Sequence, residues 1–348
     1  MKRGRSPKKQ RQGRTVTQAE PSPGAAPCNV ILVTGATGFV GRALCRRLLA
    51  EGYRVRAALR EGGNTQLPAG VQPVTLPPLG PDTPWSEALS GVEAVVHLAA
   101  RVHQLKDAAA DPLTAYREVN LQGTERLARE AARAGVRRLV FASSVKVHGE
   151  GGADPYRELT SPAPLDPYGV SKWEAEQALS RVAAETGLEV VVLRPPLVYG
   201  PGVRANFYRM FRALECGFPL PFSGIENRRS LIYLDNLVDA LLVCLRHPKA
   251  AGGTFLVSDG EDLSTPQLLR RAADSLGVPV RLVPFPKTLL RLAGRLTGKG
   301  AALQRLTGSL AVDSTLIRER LGWRPPVTVA DALQATARWY REARKEEP

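Results

Sequence analysis

The chain has 348 residues, of which 43% are hydrophobic, and it carries a formal net charge of +15 at pH 7. This length and apolar content are enough to bury a large core in one big domain or two coupled ones. Apolar runs stay below the roughly 18 residues of a membrane span, and no apolar segment of a secretory signal follows the first residues. Four scattered cysteines and four histidines give no metal-ligand pattern. The sequence therefore predicts a cytoplasmic protein without a metal site or integral membrane association.

The first 27 residues account for part of the positive charge. Residues 1–27 hold seven Lys and Arg and one acid, Glu20, so they contribute +6 and leave +9 for the remainder. They are rich in Pro, Ser and Gln and nearly free of large apolar side chains, a composition typical of disorder. We expect a disordered basic tail without a role in the fold. Contact of this tail with nucleic acid or acidic lipid is the alternative.

From Val30 onward, strand-like and helix-like segments alternate along the chain. In order they are a strand VILVT, a turn GATGFVG, a helix RALCRRLLAEG, a strand YRVRAAL, a strand VEAVVHLAA, a helix LTAYREVNLQGTERLAREAARAG, a strand RRLVFASS, a helix PYGVSKWEAEQALSRVAAETG and a strand LEVVVLRP. This alternation predicts a parallel sheet covered by helices on both faces, with right-handed crossovers.

Beyond Pro195 the chain is denser in Pro and Gly, although the segment GTFLVSDG could return to the sheet as a further strand. We predict an α/β fold: a Rossmann-type doubly wound parallel sheet with a smaller, mostly helical C-terminal substrate lobe. The predicted boundaries are a tail at 1–27, a dinucleotide-binding domain at 28–198 with return segments near 229–258, a substrate lobe at 199–228 and 259–342, and a tail at 343–348.

Three glycines separate the first strand from its helix in the spacing Gly-x-x-Gly-x-x-Gly. Gly35 allows the tight turn, Gly38 lets a pyrophosphate approach the helix N-terminus, and Gly41 lets the helix pack closely on the strand. The turn therefore predicts dinucleotide binding, with a purely structural turn as the alternative.

Together with later segments, this turn resembles the extended short-chain dehydrogenase/reductase superfamily, in the NAD-dependent epimerase/dehydratase group that works on nucleotide sugars. The resemblance covers about residues 28–342. The segments that carry it are, in order, HLAA, VNLQGT, SSVKVHG, YGVSK, LRPPLVYGPG, RRSLIYLDNLVDAL and LGWRPPVTVADAL. It implies a UDP-sugar substrate, NAD or NADP as cofactor, and a homodimer formed through helices near 112–134 and 167–187.

The resemblance also implies that Ser144, Tyr168 and Lys172 are the catalytic residues. Tyr168 and Lys172 stand at i and i+4 and therefore share one face of a helix. A free tyrosine has a pKa near 10, so we expect the neighbouring ammonium and an oxidised nicotinamide to lower it toward the working range. Ser144 is expected to hydrogen-bond the reacting sugar oxygen, and Ser143 takes this role if the register slips by one.

Two further sets of contacts follow from the resemblance. The residues expected to contact the cofactor are Gly35, Thr37, Gly38, Phe39, Val40, Gly41, Arg60, Leu98, Ala99, Ala100 and Asn120, together with Tyr168 and Lys172. The residues expected to contact the sugar nucleotide are Lys146, His148, Asn206, Arg229 and Arg305. His148 stands where UDP-galactose epimerases have a tyrosine, and we interpret it as a rim histidine rather than a proton donor.

The sequence departs from the family pattern at the second strand. It ends in Ala58, Leu59 and Arg60, without the acid that reads the adenosine ribose of NAD. Both NAD and NADP therefore stay open, with Glu61 as a late candidate for that acid. Leu197 also replaces an asparagine of the UDP-galactose epimerases, which removes one sugar-nucleotide contact.

These departures favour, by a small margin, a 4-ketoreductase over a 4-epimerase. Both reactions transfer hydride at C4 of a UDP-hexose or UDP-N-acetylhexosamine. An alternative of another class is a regulator that senses a dinucleotide and binds nucleic acid through its basic tail, although an intact acid-base set argues against it. A weaker alternative is a membrane-surface helix over KTLLRLAGRLTGKGAALQRL, where Leu alternates with Arg and Lys.

Overall fold

The computed structural model of the chain describes Met1 and residues 29–345, apart from 64–65, 103–110, 153, 205, 287, 291–295, 297 and 299. The predicted basic tail and much of the predicted membrane-surface helix lie outside the described residues. None of the described helices combines the length and the apolar content needed to traverse a bilayer.

Seven parallel strands form the central sheet. They are β1 (Val30–Thr34), β2 (Arg54–Arg60), β3 (Gln72–Leu76), β4 (Val92–His97), β5 (Arg138–Ala142), β6 (Glu189–Arg194) and β9 (Thr254–Leu256). Their order across the sheet is β3-β2-β1-β4-β5-β6-β9, so the chain crosses over after β3. The predicted doubly wound parallel sheet is confirmed. Its last strand is the segment GTFLVSDG, which pairs in parallel with β6.

The described helices pack on the sheet or form the C-terminal lobe. They are α1 (Phe39–Ala50), α2 (Ser86–Leu89), α3 (Pro112–Arg117), α4 (Gly123–Arg133), α5 (Pro167–Thr186), α6 (Asn206–Glu215), α7 (Leu234–Arg246), α8 (Thr265–Leu276), α9 (Gly300–Thr307), α10 (Thr315–Leu321) and α11 (Val329–Lys345). A π-helical turn, Glu118–Gln122, joins α3 to α4, and a short 3-10 helix, Val145–His148, follows β5.

The sheet is covered on both faces, because strands without a polar face must be buried on two sides. Strand β1 is buried throughout and alternates between the two layers: Ile31 packs with α1, α7 and α10, whereas Leu32 packs with α2, α4 and α5. The two hydrophobic layers therefore hold α1 and α5, the helices that carry the predicted cofactor and acid-base residues, against opposite faces of one sheet.

A third core belongs to the C-terminal lobe. Helices α6, α8 and α11 pack around Phe211, Leu269 and Tyr340. The two short parallel strands β7 (Leu197–Tyr199) and β8 (Leu231–Tyr233) join this core through their tyrosines. Phe39, at the start of α1, also packs against it. The lobe therefore lies beside the carboxyl end of β1, where ligands of open α/β sheets bind.

Candidate active site

The glycine turn between β1 and α1 has room for an anionic ligand. Gly38 immediately precedes α1, whose first turn has neither a side-chain cap nor an acidic residue. A Cβ added to Gly38 would approach only the Gly35 carbonyl oxygen, at 3.1 Å, so protein side chains do not fill the adjacent space. Unpaired N–H groups and the helix dipole favour a phosphate at such a position. The residues present therefore fit the pyrophosphate of a dinucleotide.

The other two glycines of the turn serve packing within the protein. Gly35 has a φ of +69°, and a Cβ there would lie 2.8 Å from the Ala99 nitrogen. A Cβ at Gly41 would overlap the Gly35 carbonyl. Only glycine fits either position, because the helix, the turn and the loop after β4 approach one another too closely for a side chain.

The loop after β4 forms a second wall beside the glycine turn. The backbone nitrogens of Leu98 and Ala99 donate to Thr34 Oγ1 at 3.2 and 3.1 Å. These two residues and Ala100 are half-buried, as is Thr37. The side chains of Phe39 and Val40 pack into the lobe and onto the sheet, respectively. Because the side chains of Phe39 and Val40 are used in packing, only the backbone N–H groups of these two predicted cofactor contacts are suited to bind a ligand.

The end of β2 bears no buried acid. Ala58 is half-buried and Leu59 is buried, while Arg60 and Glu61 are exposed. Arg60 is thus free of packing constraints and lies at the carboxyl edge of the sheet. This position agrees with the predicted contact to the ribose side of a dinucleotide, which stays a prediction.

Ser144 and Tyr168 are brought together from different elements. Ser144 precedes the 3-10 helix after β5, and Tyr168 lies in the first turn of α5, which Asp166 caps by accepting the Gly169 N–H at 2.7 Å. Burial raises the pKa of Tyr168 to about 12, and its hydrogen bond with Ser144 opposes that rise. The protein's own groups do not produce the lowered tyrosine pKa expected from the sequence, because the removal of the phenol from water outweighs them.

Lys172 is buried one turn further along α5, with 1% of its surface exposed. Burial lowers the pKa of its ammonium to about 7, and the Glu176 carboxylate opposes that change. Beneath it, burial followed by the charge of Lys172 lowers the pKa of His97 to about 3. The neutral His97 ring joins Thr34, at 2.7 Å, to Thr124, at 2.9 Å. Lys172 is therefore the group here that can change charge near neutral pH.

Asn120 lies in the π-helical turn and is 1% exposed. Its Oδ1 accepts the Arg101 N–H at 2.7 Å, while its Nδ2 donates to the Arg101 carbonyl at 3.0 Å and to Ser171 Oγ at 2.9 Å. Both amide donors are thus used within the protein. The amide therefore ties the loop after β4 to α5, and the predicted contact of Asn120 with a cofactor stays a prediction. Single π-helical turns often occur at functional sites.

Two predicted substrate residues, Lys146 and His148, lie on the 3-10 helix after β5. Lys146 is half-buried and forms ion pairs with Asp166 and with Glu150, the latter at 2.9 Å. His148 is only 3% exposed; its Nε2 lies 2.9 Å from Arg194 Nη1, and its ring stacks on Tyr156. The prediction of a rim histidine is therefore wrong, because the Tyr156 loop covers the ring.

Arg229 and Arg305 are brought together in the lobe. The Arg229 guanidinium donates to the backbone carbonyls of Arg305 and Gly308, the latter at 3.1 Å. Arg305 is exposed on α9, and burial followed by this neighbouring charge lowers the pKa of Arg229. Two cations on adjacent segments suit a diphosphate. Asn206 begins α6, but its side chain lies outside what the structure describes.

Sequence reasoning missed a buried polar network behind the predicted catalytic residues. It consists of Ser143, His148, Glu176 and Arg194, each at most 6% exposed. Glu176 follows Lys172 by four residues, so a repeat of the Tyr-x-x-x-Lys spacing was the available signal. If this spacing is not considered, the sequence predicts that Glu176 faces solvent.

The glycine turn, the Tyr-Lys pair on one helix and the nearby serine are typical of one class: a Rossmann-fold protein with a turn that fits a dinucleotide and a candidate acid-base set beside it. Residues 31–258 match the model of the NAD dependent epimerase/dehydratase family. The chain belongs to this family, and it is an NAD-dependent enzyme of the short-chain dehydrogenase/reductase type. The resemblance that the sequence motifs suggested is thereby confirmed.

Individual relatives agree with this family. A UDP-glucose 4-epimerase of Vibrio cholerae is 44% identical over 317 residues, which cover 90% of this chain and 96% of that protein. The crystal structure of a UDP-glucose 4-epimerase of Thermotoga maritima with UDP-glucose is 25% identical, with a TM-score of 0.71 over 90% of this chain and 99% of that one. MoeE5 in complex with UDP-glucuronic acid and NAD is 26% identical, with a TM-score of 0.71 over 90% of this chain and 100% of that one.

Proposed function

We propose that the protein is a UDP-hexose 4-epimerase that retains NAD through the catalytic cycle. The observation that carries this proposal is the hydrogen bond between Ser144 and Tyr168, with the buried Lys172 one helical turn further along α5. The 44% identity to a UDP-glucose 4-epimerase across nearly its full length supports the same reaction. The second strand and Leu197 favoured a ketoreductase, but this identity outweighs those two departures, and we therefore prefer the epimerase.

The chain's own residues handle the proton. In the proposed reaction the Tyr168 phenolate takes the proton of the C4 hydroxyl, while the Ser144 hydroxyl donates a hydrogen bond to the same oxygen. The 4-keto sugar then rotates and presents the opposite face of C4, and the proton returns to the same oxygen when the hydride is added back. NAD held at Gly38 and the N-terminus of α1 would supply the reversible hydride transfer at C4. Because burial raises the pKa of Tyr168 to about 12, the phenolate needs a nearby positive charge, which the Lys172 ammonium supplies.

The nucleotide parts of substrate and cofactor have separate candidate sites. Gly38 and the N-terminus of α1 suit the pyrophosphate of NAD. Arg229 and Arg305 suit the diphosphate of the UDP-sugar, because charge-assisted hydrogen bonds from guanidinium groups match phosphate geometry. Lys146, which pairs with Asp166 and Glu150, is a further candidate cation for the sugar nucleotide. A homodimer through α3, α4 and α5 remains part of this proposal.

The experiment is a turnover assay without added NAD or NADP. Purified protein incubated with UDP-galactose should form UDP-glucose, and denaturation should release close to one NAD per chain, measured by mass spectrometry. The Tyr168→Phe variant is the control, because it keeps the ring and removes the proton carrier. Consumption of added NADPH with a 4-keto sugar, combined with an absence of epimer formation, would identify a ketoreductase instead.

A further inference from the structure

A buried ion pair lies directly behind the catalytic residues. Arg194, at the end of β6, donates from Nε to both carboxylate oxygens of Glu176, at 3.1 and 3.2 Å, and from Nη2 at 2.5 Å. Glu176 is 6% exposed and Arg194 is 4% exposed. Desolvating two charges offsets most of their attraction, so such a pair is a weak source of stability. Its placement, rather than its contribution to stability, is therefore the feature to explain.

The pair joins the elements that carry the catalytic side chains. Ser143, the neighbour of Ser144, donates its hydroxyl to Glu176 Oε1 and its backbone N–H to the Leu193 carbonyl at 2.7 Å. The same carboxylate belongs to α5, where Tyr168, Lys172 and Glu176 follow one another at intervals of four residues. Residues spaced by four share one helical face. The carboxylate thus links the end of β5, the end of β6 and the catalytic face of α5.

The network continues to the end of the 3-10 helix after β5 and to the backbone at Glu158. Arg194 Nη1 contacts His148 Nε2 at 2.9 Å and donates to the Glu158 carbonyl at 3.4 Å. The first contact fixes the far end of the 3-10 helix that begins after Ser144. The whole turn from Ser143 to His148 is therefore held from behind by one guanidinium and one carboxylate.

We propose that Glu176 is a positioning residue for the reaction, which fixes the serine-bearing turn after β5 against the tyrosine and lysine of α5. Ser144 and Tyr168 come from different elements, so their hydrogen bond forms only while those elements keep their relative placement. Small displacements of reacting groups cause large losses of rate. A carboxylate that accepts from Ser143 and Arg194 at once holds both elements with a single side chain.

Charge adds a second consequence. The described groups that interact with Lys172 are Glu176 from its own helix, His97 from β4 and the Phe141 ring from β5. Arg194 from β6 faces Glu176 and is the cation paired with it. Glu176 is the carboxylate among them, and it favours the charged form of Lys172. Removal of this carboxylate therefore disfavours the ammonium and shifts any activity that depends on it to lower pH.

The test compares Glu176→Gln with Glu174→Gln, which makes the same chemical change on the same helix. Glu174 pairs with Arg117 at 2.6 Å in a partly exposed position, with side-chain exposures of 24% and 41%. Two readouts are measured for each variant: amide hydrogen exchange over 143–148 and 167–176, and the pH profiles of kcat and KM. Turnover as a readout rests on the proposed function, whereas hydrogen exchange does not.

For Glu176→Gln we expect exchange at 143–148 to rise at least tenfold, kcat to fall about tenfold or more with KM changed less than threefold, and the alkaline limb of the pH profile to move to lower pH. Glu174→Gln should match the wild type in all of these. Wild-type exchange and kcat in Glu176→Gln, or an equal loss in both variants, would overturn the proposal. An inactive wild type with the expected exchange difference would contradict the proposed function alone.

Ser143→Ala keeps the test decisive if Glu176→Gln fails to fold. This variant leaves the ion pair intact and removes only the hydroxyl that joins the turn to Glu176. We expect faster exchange over 143–148 and a severalfold lower kcat, with an unchanged pH profile because the carboxylate remains. Wild-type exchange in Ser143→Ala would overturn the positioning role.

Discussion

The ammonium nitrogen of Lys172 lies 3.9 Å from the centre of the Phe141 ring. A cation over an aromatic face is stabilised by the ring quadrupole, which partly offsets the loss of water around this buried lysine. Burial still prevails and lowers the pKa of Lys172 to about 7. The charge that should promote the Tyr168 phenolate is therefore present below neutral pH and lost above it.

The first prediction concerns this titration. Because the ammonium of Lys172 deprotonates near pH 7, kcat/KM should decline as the pH rises through about 7 to 8. Lys172→Arg carries a guanidinium that stays charged in proteins, so any activity it retains should lack this decline. A wild-type profile that stays flat to pH 9, or an identical decline in Lys172→Arg, would contradict the assignment.

The second prediction concerns the proton carrier. Tyr168→Phe keeps the ring but removes the hydroxyl that hydrogen-bonds Ser144. Turnover should fall about 10² or more, the scale of general acid-base catalysis, while the retained nucleotide stays bound. Single-turnover measurements on the purified variant give both quantities. Near-normal turnover would exclude Tyr168 as the acid-base residue.

The third prediction concerns the phosphate turn. Gly38→Val places a branched side chain in the space beside the N-terminus of α1, where only the Gly35 carbonyl is near. The affinity for the cofactor should fall sharply, with little change in the midpoint of thermal unfolding of the nucleotide-free protein. Gly224→Val is the matched control, since a Cβ there meets no atom within 4 Å. Unchanged nucleotide affinity by calorimetry would mean that the turn is only structural.

The fourth prediction concerns the choice of cofactor. Arg60 is exposed at the end of β2, and its guanidinium can bond a 2′-phosphate. Arg60→Ala should weaken NADPH roughly tenfold or more, since a hydrogen bond to a charged group contributes about 1.5–3 kcal/mol, with little effect on NADH. Arg54→Ala, at the exposed start of the same strand, is the control. Equal losses of affinity for NADPH and NADH would show that Arg60 does not bind the 2′-phosphate.

The fifth prediction concerns the sugar nucleotide. Arg305→Ala removes an exposed guanidinium beside Arg229 without disturbing a core. KM for the UDP-sugar should rise about tenfold, with kcat and NAD retention close to wild type, as expected for lost diphosphate binding. The exposed Arg270, on α8, provides an Arg→Ala control. If both variants behave alike, Arg305 does not bind substrate.

Local sequence patterns predicted the fold and the positions of the glycine turn, Tyr168 and Lys172. The glycine turn and the Tyr-x-x-x-Lys helix are contiguous in sequence, so their geometry follows from the helix repeat and from backbone sterics. The strand-helix alternation likewise predicted the parallel sheet, including its last strand at 254–256, although it missed the edge strand β3 (Gln72–Leu76), which follows β2 without a helix between them. Such features need no knowledge of distant contacts.

The other errors concern side chains whose surroundings come from elsewhere in the chain. His148 is covered by the ring of Tyr156. The Glu176–Arg194 pair depends on β5 and β6 lying side by side, a matter of sheet register. The raised pKa of Tyr168 follows from burial, which no spacing in the sequence reports.

The π-helical turn between α3 and α4 also constrains how this chain can vary. A π turn holds one residue more than the α-helix around it, so deleting a single residue from Glu118–Gln122 would restore regular α-helix. That repair improves the local hydrogen-bond ladder, yet it rotates the preceding helix by about 100° about its axis. Asn120 would then lose Arg101 and Ser171 together. The more regular helix would therefore separate the loop after β4 from α5, the helix that carries Tyr168 and Lys172.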